Sequence, residues 1–256
     1  MKGYLLQSFS LKIGRKGSRK VSESLVGFVN LPCHGTNGFE LKKESQVLIS
    51  DSLGSVSIIT SMPDDAIALL VLAHGAGAGM KHSFMEALSE ELVARNIGCV
   101  RFNFLYMEKK SKRPDPAPIA EKTVSVIVNS TYAQYPSVPM YVGGKSFGGR
   151  MTSQRLSKEC PAYVKGIVFF GFPLHPIGQP SSDRADHLKR VTIPMLFLQG
   201  TNDKLADMSL LENVLNGLPN GVLKSWEGAD HSFKSGKKNL IPSLADATFN
   251  WIKQMK

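Results

Sequence analysis

The residues Gly144-Lys145-Ser146-Phe147-Gly148 form a G-x-S-x-G pentapeptide. An apolar run at 138–142 precedes it, and a helical pattern follows it to about residue 157. This context predicts a sharp turn from a strand into a helix that holds the serine in a strained backbone conformation and excludes side chains at both glycine positions. The helix dipole would favour negative charge developing at the serine hydroxyl. We predict that Ser146 is the nucleophile of a covalent mechanism.

A serine hydroxyl is a weak nucleophile near neutral pH and needs a base beside it. Where such a turn carries the nucleophile, the acid and then the histidine follow it along the chain. His231 fits this order because it comes after the last predicted strand, whereas the other histidines lie earlier (His34, His74, His82, His175 and His187). Asp203 follows the predicted strand 194–198, so we predict His231 as the base and Asp203 as the acid.

Two other aspartates are alternatives to Asp203. Asp207 lies in the same region of the chain, but the pattern places it at the start of the next helix. Asp230 is adjacent to His231, and neighbouring side chains of an extended backbone point in opposite directions. We therefore favour Asp203, for which a capping role in the turn would be compatible with catalysis.

A glycine-rich segment, residues 74–80, directly follows the apolar strand 68–73. Its small side chains would allow main-chain amides to face a substrate, as stabilisation of a tetrahedral oxyanion requires. We predict the amides of Ala76 and Phe147 as the donors of this oxyanion hole. His74 is expected to brace the loop rather than take part in chemistry.

Motifs for nucleotides and metals are not met. A phosphate-binding loop would need glycine at the position of Pro139, and a dinucleotide fingerprint starting at Gly75 meets Met80 where glycine or alanine is required. No group of residues has metal-ligand spacing. We therefore expect no cofactor and no metal.

Strands alternate with helices from about residue 45, which predicts a mainly parallel central sheet with helices on both faces and minimal or no cap domain. In such sheets the chemistry lies at the carboxyl ends of the strands. A Ser83–Glu86 capping box marks the first helix, and Pro242 marks the last. The predicted strands are 46–49, 56–60, 68–73, 98–104, 138–142, 164–170, 194–198 and 222–226. The other predicted helices are 119–133, the helix from Ser146 to about 157, and 208–215.

The chain has 256 residues, a length that is ordinary for one α/β domain, and its composition can supply the core of such a domain. Residues 1–44 are predicted to form a basic extension in which 25–30 could add an edge strand, and residues 45–256 are predicted to form the domain. Neither a secretory signal nor a membrane-spanning stretch is recognisable. The odd cysteine count and spacing disfavour disulfides, so a cytoplasmic location is expected.

The net charge of +10 would permit an acidic partner. The aromatic-and-basic motifs of RNA-binding modules are missing, so no nucleic-acid partner is expected. Cationic residues instead concentrate after strand ends, where we expect them to form a rim around the site and to attract an anionic substrate. The predicted rim consists of Lys109, Lys110, Lys112, Arg113, Lys145 and Lys234, with Lys204, Lys237 and Lys238 nearby in sequence.

Several motifs recur in one family in the same order and spacing. They are HGAGAGM at 74–80, RFNFLYMEKKSKRPDP at 101–116, GGKSFGGRM at 143–151, GFPLHPIGQP at 171–180, QGTND at 199–203 and GADHSFK at 228–234. Over residues 56–255 the chain resembles the KANL/Tex-type, testis-expressed-protein-30-like branch of the dienelactone-hydrolase-like α/β-hydrolases. The resemblance implies an α/β-hydrolase fold and assigns nucleophile, acid and base to Ser146, Asp203 and His231.

The sequence thus predicts a hydrolase that cleaves an ester, thioester or related acyl bond of a small-molecule substrate. The alternative is a non-catalytic binding or scaffold protein that has kept the fold, since fold alone does not fix function.

Overall fold

The computed structural model describes residues 40–255, and within this range the main element is an eight-stranded sheet. Its strand order is β1-β2-β4-β3-β5-β6-β7-β8. The strands are β1 Glu40–Ser50, β2 Gly54–Pro63, β3 Ala68–Ala73, β4 Ile97–Phe102, β5 Met140–Lys145, β6 Val164–Phe170, β7 Met195–Gly200 and β8 Gly221–Trp226. From β4 to β8 all neighbours are parallel, whereas β1 and β2 are antiparallel additions at one edge.

Six α-helices connect or flank these strands in the described part of the chain. They are α1 Ser83–Val93, α2 Leu105–Glu108, α3 Ala117–Gln134, α4 Phe147–Leu156, α5 Met208–Asn216 and α6 Ile241–Gln254. A 3₁₀ helix, Asp183–Arg190, lies between β6 and β7. Two short strands, β9 Lys234–Ser235 and β10 Lys238–Asn239, form a hairpin after β8. The sequence pattern did not indicate α2, the 3₁₀ helix or this hairpin.

The core lies on both faces of the sheet because side chains alternate along each buried strand. In β3, Leu69 and Val71 belong to a cluster that includes residues of α3, α4 and α5. Leu70 and Leu72 belong to a second cluster, which α1 and α6 cover. The predicted α/β class, with a mainly parallel sheet between two layers of helices, is confirmed, and it directs the carboxyl ends of the parallel strands to one edge.

The structure corrects two predictions from sequence: where the domain begins, and which residue caps α1. Strand β1 begins at Glu40, so residues 40–44 pair with β2 and do not belong to the predicted extension. The predicted Ser83–Glu86 capping box does not form, because the ring of His82 caps α1 by accepting a hydrogen bond from the Phe84 amide at 3.2 Å. The rest of the predicted extension, including the candidate strand 25–30, lies outside the described residues.

The described residues contain no helix that is both long enough and apolar enough to cross a membrane.

The buried contact between α1 and the sheet gives a first prediction. Leu88 of α1 is fully buried, so Leu88→Ala should lower the free energy of unfolding by about 2–5 kcal/mol through lost burial and the cavity left behind. Leu48 of β1 is 56% exposed, and Leu48→Ala should change stability by no more than about 0.5 kcal/mol. Equal losses for the two variants in urea denaturation would contradict the assignment of α1 to the core.

Candidate active site

Ser146 lies at the turn from β5 into α4 with φ 52° and ψ −116°, a conformation that is costly for a residue with a side chain. The surrounding backbone is packed too closely to relax it. A Cβ atom on Gly148 would lie 2.5 Å from the carbonyl oxygen of Ala73, and one on Gly144 would lie 2.6 Å from the amide nitrogen of Gly149. Both glycines are therefore required, and the turn fixes the serine hydroxyl at the N-terminus of α4.

A continuous line of hydrogen bonds joins three side chains from separate loops. The Oγ of Ser146 lies 2.8 Å from Nε2 of His231, and Nδ1 of His231 lies 2.6 Å from Oδ2 of Asp203. An ionised carboxylate can only accept, so Nδ1 carries the hydrogen and donates it to Asp203. The lone pair of Nε2 is then free to accept the hydroxyl hydrogen of Ser146, which is the arrangement that general-base activation of a serine requires.

The carboxylate of Asp203 is buried, with a side-chain exposure of 0%. Besides His231 it accepts hydrogen bonds from Gln199 Nε2 at 2.5 Å and from the Leu205 amide at 2.8 Å. The other side-chain atom of Gln199, Oε1, accepts from the Phe172 amide at 2.9 Å. Sequence reasoning missed Gln199, although a polar residue that ends the otherwise apolar strand β7 was a signal for it.

The two alternative acids have other partners. Asp207 accepts hydrogen bonds from the Ser209 hydroxyl and from the Leu210 amide, so it caps α5, and these two bonds, that of Ser209 first, lower the pKa of its carboxyl group. Asp230 accepts from the amides of Ser232 and Lys234, both at 2.8 Å, and so closes the tight loop that carries His231. Neither carboxylate is bonded to the imidazole.

The glycine-rich loop after β3 lies directly against the nucleophile. A Cβ atom on Gly75 would be 3.7 Å from Cβ of Ser146. The next residue, Ala76, is exposed. At the start of α4, Arg150 is the first residue whose amide bonds back to Ser146, so the amide of Phe147 precedes the hydrogen-bond ladder of the helix. The two predicted oxyanion donors therefore belong to segments that border the serine.

His74 holds this loop in place through hydrogen bonds from both nitrogens of its ring. Its Nδ1–H donates to the Gly75 carbonyl at 2.8 Å, and its Nε2 accepts from the Phe104 amide at 3.1 Å. Burial lowers the pKa of His74 to about 4, so the ring is neutral at physiological pH. The ring also packs edge-on against Phe104. These contacts match the predicted bracing role.

Lys145 is not part of an exposed rim, which corrects the prediction from sequence. Its side chain is partly buried, and Nζ donates to the backbone carbonyl of His231 at 2.6 Å. Nζ also lies 5.6 Å from the ring centre of Phe233. Burial lowers the pKa of Lys145 to about 8, against the opposing attraction of Asp203 and Asp230. Lys145 thus holds the histidine loop against the serine turn. Its ammonium group is bonded within the protein and does not form part of an exposed rim.

The remaining predicted rim residues are exposed and occupy two loops. Lys109, Lys110, Lys112 and Arg113 follow α2, and Lys234 lies in the hairpin after His231. Both loops follow strands on the carboxyl side of the sheet. Their enclosure of a common mouth stays a prediction.

Two cavities of about 370 Å³ lie in the described part of the chain, and none of Ser146, Asp203 and His231 lines either of them. One lies at the end of the glycine-rich loop and is lined by residues that include Met80 and Asn103. The other lies in the segment after β6 and is lined by residues that include Leu174 and Arg184. Within residues 40–255, no group of three or more histidine, cysteine, aspartate or glutamate side chains could hold a metal ion.

Comparison with known proteins identifies a family and several similar folds. A family model described as "Alpha/beta hydrolase domain" matches residues 66–250, which is more than half of the chain. A dienelactone hydrolase from Anabaena variabilis is similar in structure, with a TM-score of 0.67, 18% sequence identity, and coverage of 83% of this chain and 98% of that one. A serine hydrolase without lid from Xanthomonas campestris has a TM-score of 0.62 at 19% identity and coverage of 87% and 97%.

A third similar structure is a cold-adapted esterase from an Arctic intertidal metagenomic library. Its TM-score is 0.62 at 14% identity, and the match covers 86% of this chain and 98% of that one. At these identities the three structures establish the shared fold.

The partly buried Lys145 gives a prediction on pH. Its pKa falls from 10.5 to about 8 on folding, so between these values the unfolded chain binds more protons than the folded chain. The stability of the wild type, measured relative to Lys145→Met, should therefore rise with pH across this window, by on the order of 1–3 kcal/mol. Below about pH 8 the difference should be constant, because both states then carry the proton.

Urea denaturation of both proteins at several pH values measures this difference. Lys204→Met is the matched control, because Lys204 is exposed and follows the acid Asp203 in the chain. That variant should track the wild type across the window. If Lys145→Met also tracks the wild type, the ammonium group is not buried as described.

Proposed function

The chain belongs to the alpha/beta hydrolase domain family, and from this we propose that it is a serine hydrolase that cleaves an ester, thioester or related acyl bond. The observation that carries the proposal is the hydrogen-bonded line from Asp203 through His231 to Ser146, with the serine on a strained turn. The acyl class follows from the chemistry, because an activated serine attacks an electrophilic carbonyl carbon.

In the proposed mechanism the Ser146 oxygen attacks the acyl carbon while its proton passes to Nε2 of His231. Asp203 holds the imidazole in the required tautomer and stabilises the imidazolium that forms. The carbonyl oxygen becomes an oxyanion that the amides of Phe147 and Ala76 stabilise. When the intermediate collapses, His231 gives the proton to the leaving alcohol or thiol, and the acyl group remains on the serine.

The second half of the cycle repeats these steps with water. His231 takes a proton from a water molecule, whose oxygen attacks the acyl-enzyme carbon. Collapse of the second tetrahedral intermediate releases the carboxylic acid and returns the proton to Ser146. His231 accepts and returns every proton that Ser146, the leaving group and water exchange, so the proposed mechanism requires no cofactor.

Two finer assignments belong to the same proposal. The motifs shared with the KANL/Tex-type branch support placing the chain there, and the esterase and hydrolase names of structurally similar proteins support an ester-like substrate. The exposed cations of the loops around the site support an anionic substrate, since they would raise its local concentration at low salt. The rim in this proposal consists of Lys109, Lys110, Lys112, Arg113 and Lys234.

A fluorophosphonate probe tests the nucleophile directly. The wild type should be labelled at one site, in the peptide that contains Ser146, and Ser146→Ala should abolish labelling. His231→Ala should slow labelling steeply because the base is lost. Asp203→Asn should also slow it, and turnover of an activated ester should fall by on the order of 10⁴ if the loss matches that in serine proteases.

The matched control is Asp207→Asn. Asp207 lies in the same stretch of chain but bonds to the start of α5 and not to His231, so its replacement should leave the labelling rate near that of the wild type. Correct folding of each variant is checked by its melting temperature. If folded wild-type protein neither reacts with the probe nor hydrolyses a small activated ester, the non-catalytic binding protein becomes the better description.

A further inference from the structure

The glycine-rich loop after β3 has almost no side chains that could hold its own conformation. Residues 75–79 are three glycines and two alanines, and a backbone hydrogen bond joins the Ala78 amide to the Gly75 carbonyl at 3.3 Å. A Cβ atom on Gly77, at the tip, would meet no other part of the chain within 4 Å. Because the glycine backbone is the least restricted by sterics, the loop needs support from outside to present the Ala76 amide in one direction.

The first end of the loop is held by the chain segment that follows β4. The ring of His74 joins the two, since Nδ1–H donates to the Gly75 carbonyl at 2.8 Å and Nε2 accepts from the Phe104 amide at 3.1 Å. The hydroxyl of Tyr106 lies 3.4 Å from the same carbonyl oxygen. A trans peptide directs its carbonyl and its amide in opposite directions, so a fixed Gly75 carbonyl also fixes the direction of the Ala76 amide.

The other end of the loop, at Met80, is held by two side chains from the end of β4. The Met80 amide donates to Oδ1 of Asn103 at 2.9 Å, and the Met80 carbonyl accepts from Nη1 of Arg101 at 2.7 Å. Arg101 belongs to β4 and Asn103 directly follows the strand, and side chains two apart on an extended backbone point to the same side. Both polar groups of the Met80 backbone therefore have a partner next to the loop.

Arg101 makes this contact at a cost to folding. Its side chain is 1% exposed, and its Nε is buried without a hydrogen-bond partner. The Oε1 atom of Glu86 lies 3.9 Å from Nη1, which is beyond hydrogen-bond distance. A cation that leaves water without close compensation is unfavourable, and an apolar side chain of similar size would serve folding at least as well. The short bond to the Met80 carbonyl is the contact that explains an arginine at this position.

Asn103 is oriented by a carboxylate at the end of α2. Its Nδ2 donates to Oε1 of Glu108 at 3.0 Å, and the same oxygen accepts from the Ser57 amide of β2 at 2.8 Å. An acceptor can bind only the nitrogen of the side-chain amide, so Glu108 turns the Asn103 oxygen towards the Met80 amide. The bonds thus connect β2, α2 and the end of β4 to the loop.

We infer that Arg101 and Asn103 are positioning residues of the proposed oxyanion hole. They fix the far end of the glycine-rich loop, and thereby the place of the Ala76 amide relative to the Ser146 oxygen. Both side chains act through the loop and not by touching the substrate. The inference rests on the proposed function, because an oxyanion forms only if Ser146 attacks an acyl carbon.

Steady-state hydrolysis of p-nitrophenyl butyrate tests Asn103. Asn103→Ala should lower kcat by about tenfold, which is less than the loss on the order of 10²–10³ for an oxyanion donor that is removed outright. KM should change by less than about twofold, because the loop acts on the transition state and not on the bound ester. Asn129→Ala, which removes an exposed amide from α3, is the matched control and should leave kcat unchanged.

Arg101→Met separates positioning from stability. Methionine fills similar space without a buried charge, so the free energy of unfolding in urea should stay the same or rise, whereas kcat should fall by about tenfold as in Asn103→Ala. Cys99→Ala is the opposite control, because Cys99 is fully buried in the same strand, two residues before Arg101. That variant should lose stability and keep its kcat.

An exchange of polar groups tests the orientation of Asn103. Asn103→Asp keeps an acceptor for the Met80 amide but places a second carboxylate where Nδ2 now lies 3.0 Å from Glu108, so kcat should fall. Adding Glu108→Gln restores a donor between the two side chains, and its oxygen can still accept from the Ser57 amide. The double variant has the net charge of the wild type and should recover most of its kcat.

A trifluoromethyl ketone reports on the oxyanion itself. Its ketone carbon, labelled with ¹³C, would form a hemiketal with Ser146, and the chemical shift of that carbon follows the ionisation of the hemiketal hydroxyl. The acid dissociation constant of this hydroxyl should be about tenfold smaller in Asn103→Ala and Arg101→Met than in the wild type, matching the loss in kcat. A change in folding stability alone does not alter this constant.

The outcomes separate the inference from the function on which it rests. If the wild type reacts with fluorophosphonate and hydrolyses the ester, but both variants keep its kcat and its hemiketal acidity, the positioning role is overturned and the hydrolase remains. A kcat that falls only together with stability, at unchanged hemiketal acidity, also overturns it. If the wild type neither reacts nor hydrolyses, the proposed function fails and the inference with it. Should Asn103→Ala not fold, Arg101→Met and the exchanged pair give the answer.

Discussion

The close packing of α4 against the main chain of β3 is the constraint on which the rest of the site depends. Gly148 has no room for a side chain because the carbonyl oxygens of Ala73 and His74 both lie within 2.5 Å of where its Cβ would be. This contact holds the backbone of Ser146 in its positive-φ conformation and brings the glycine-rich loop to the serine. A strained residue persists only where its surroundings determine it completely, and here two parallel strands and a helix do so.

The second constraint is the burial of Asp203, whose charge costs free energy unless its oxygens are fully bonded. The imidazole of His231 and the amide of Leu205 satisfy part of this requirement, and the side chain of Gln199 satisfies the rest. Because Gln199 also bonds to the main chain at Phe172, the segments after β6, β7 and β8 are tied together around one carboxylate. Lys145 ties the histidine loop to the serine turn from the other side. The geometry between base and nucleophile is therefore fixed at both ends of the imidazole.

The main strands and helices, and the three side chains of the hydrogen-bonded line, could be predicted from the sequence because they depend on local pattern. Buried parallel strands are continuous apolar runs, and the G-x-S-x-G turn requires its glycines for steric reasons visible in the residues themselves. The direction of a long side chain is set by tertiary contacts instead. The sequence pattern therefore predicts Lys145 on an exposed rim, although its side chain turns inward to His231. It does not indicate Gln199, because the role of that residue depends on Phe172, which is distant in sequence. The capping of α1 by His82 was missed for a related reason, since serine is the commoner capping residue.

The number of cations near a site indicates its ligand less well than the pairing of each cation with its neighbours. A net charge of +10 creates a field that any anion experiences, but it is screened within about 10 Å at moderate ionic strength and selects nothing. Lys145 lies closest in sequence to the nucleophile, yet its hydrogen bond to the His231 carbonyl makes it part of the scaffold. Arg155 is neutralised by Glu159. Arg150 differs from Arg155, because its Nε is buried without a hydrogen-bond partner. The exposed lysines of the two loops are therefore expected to affect mainly the rate at which a charged ligand arrives.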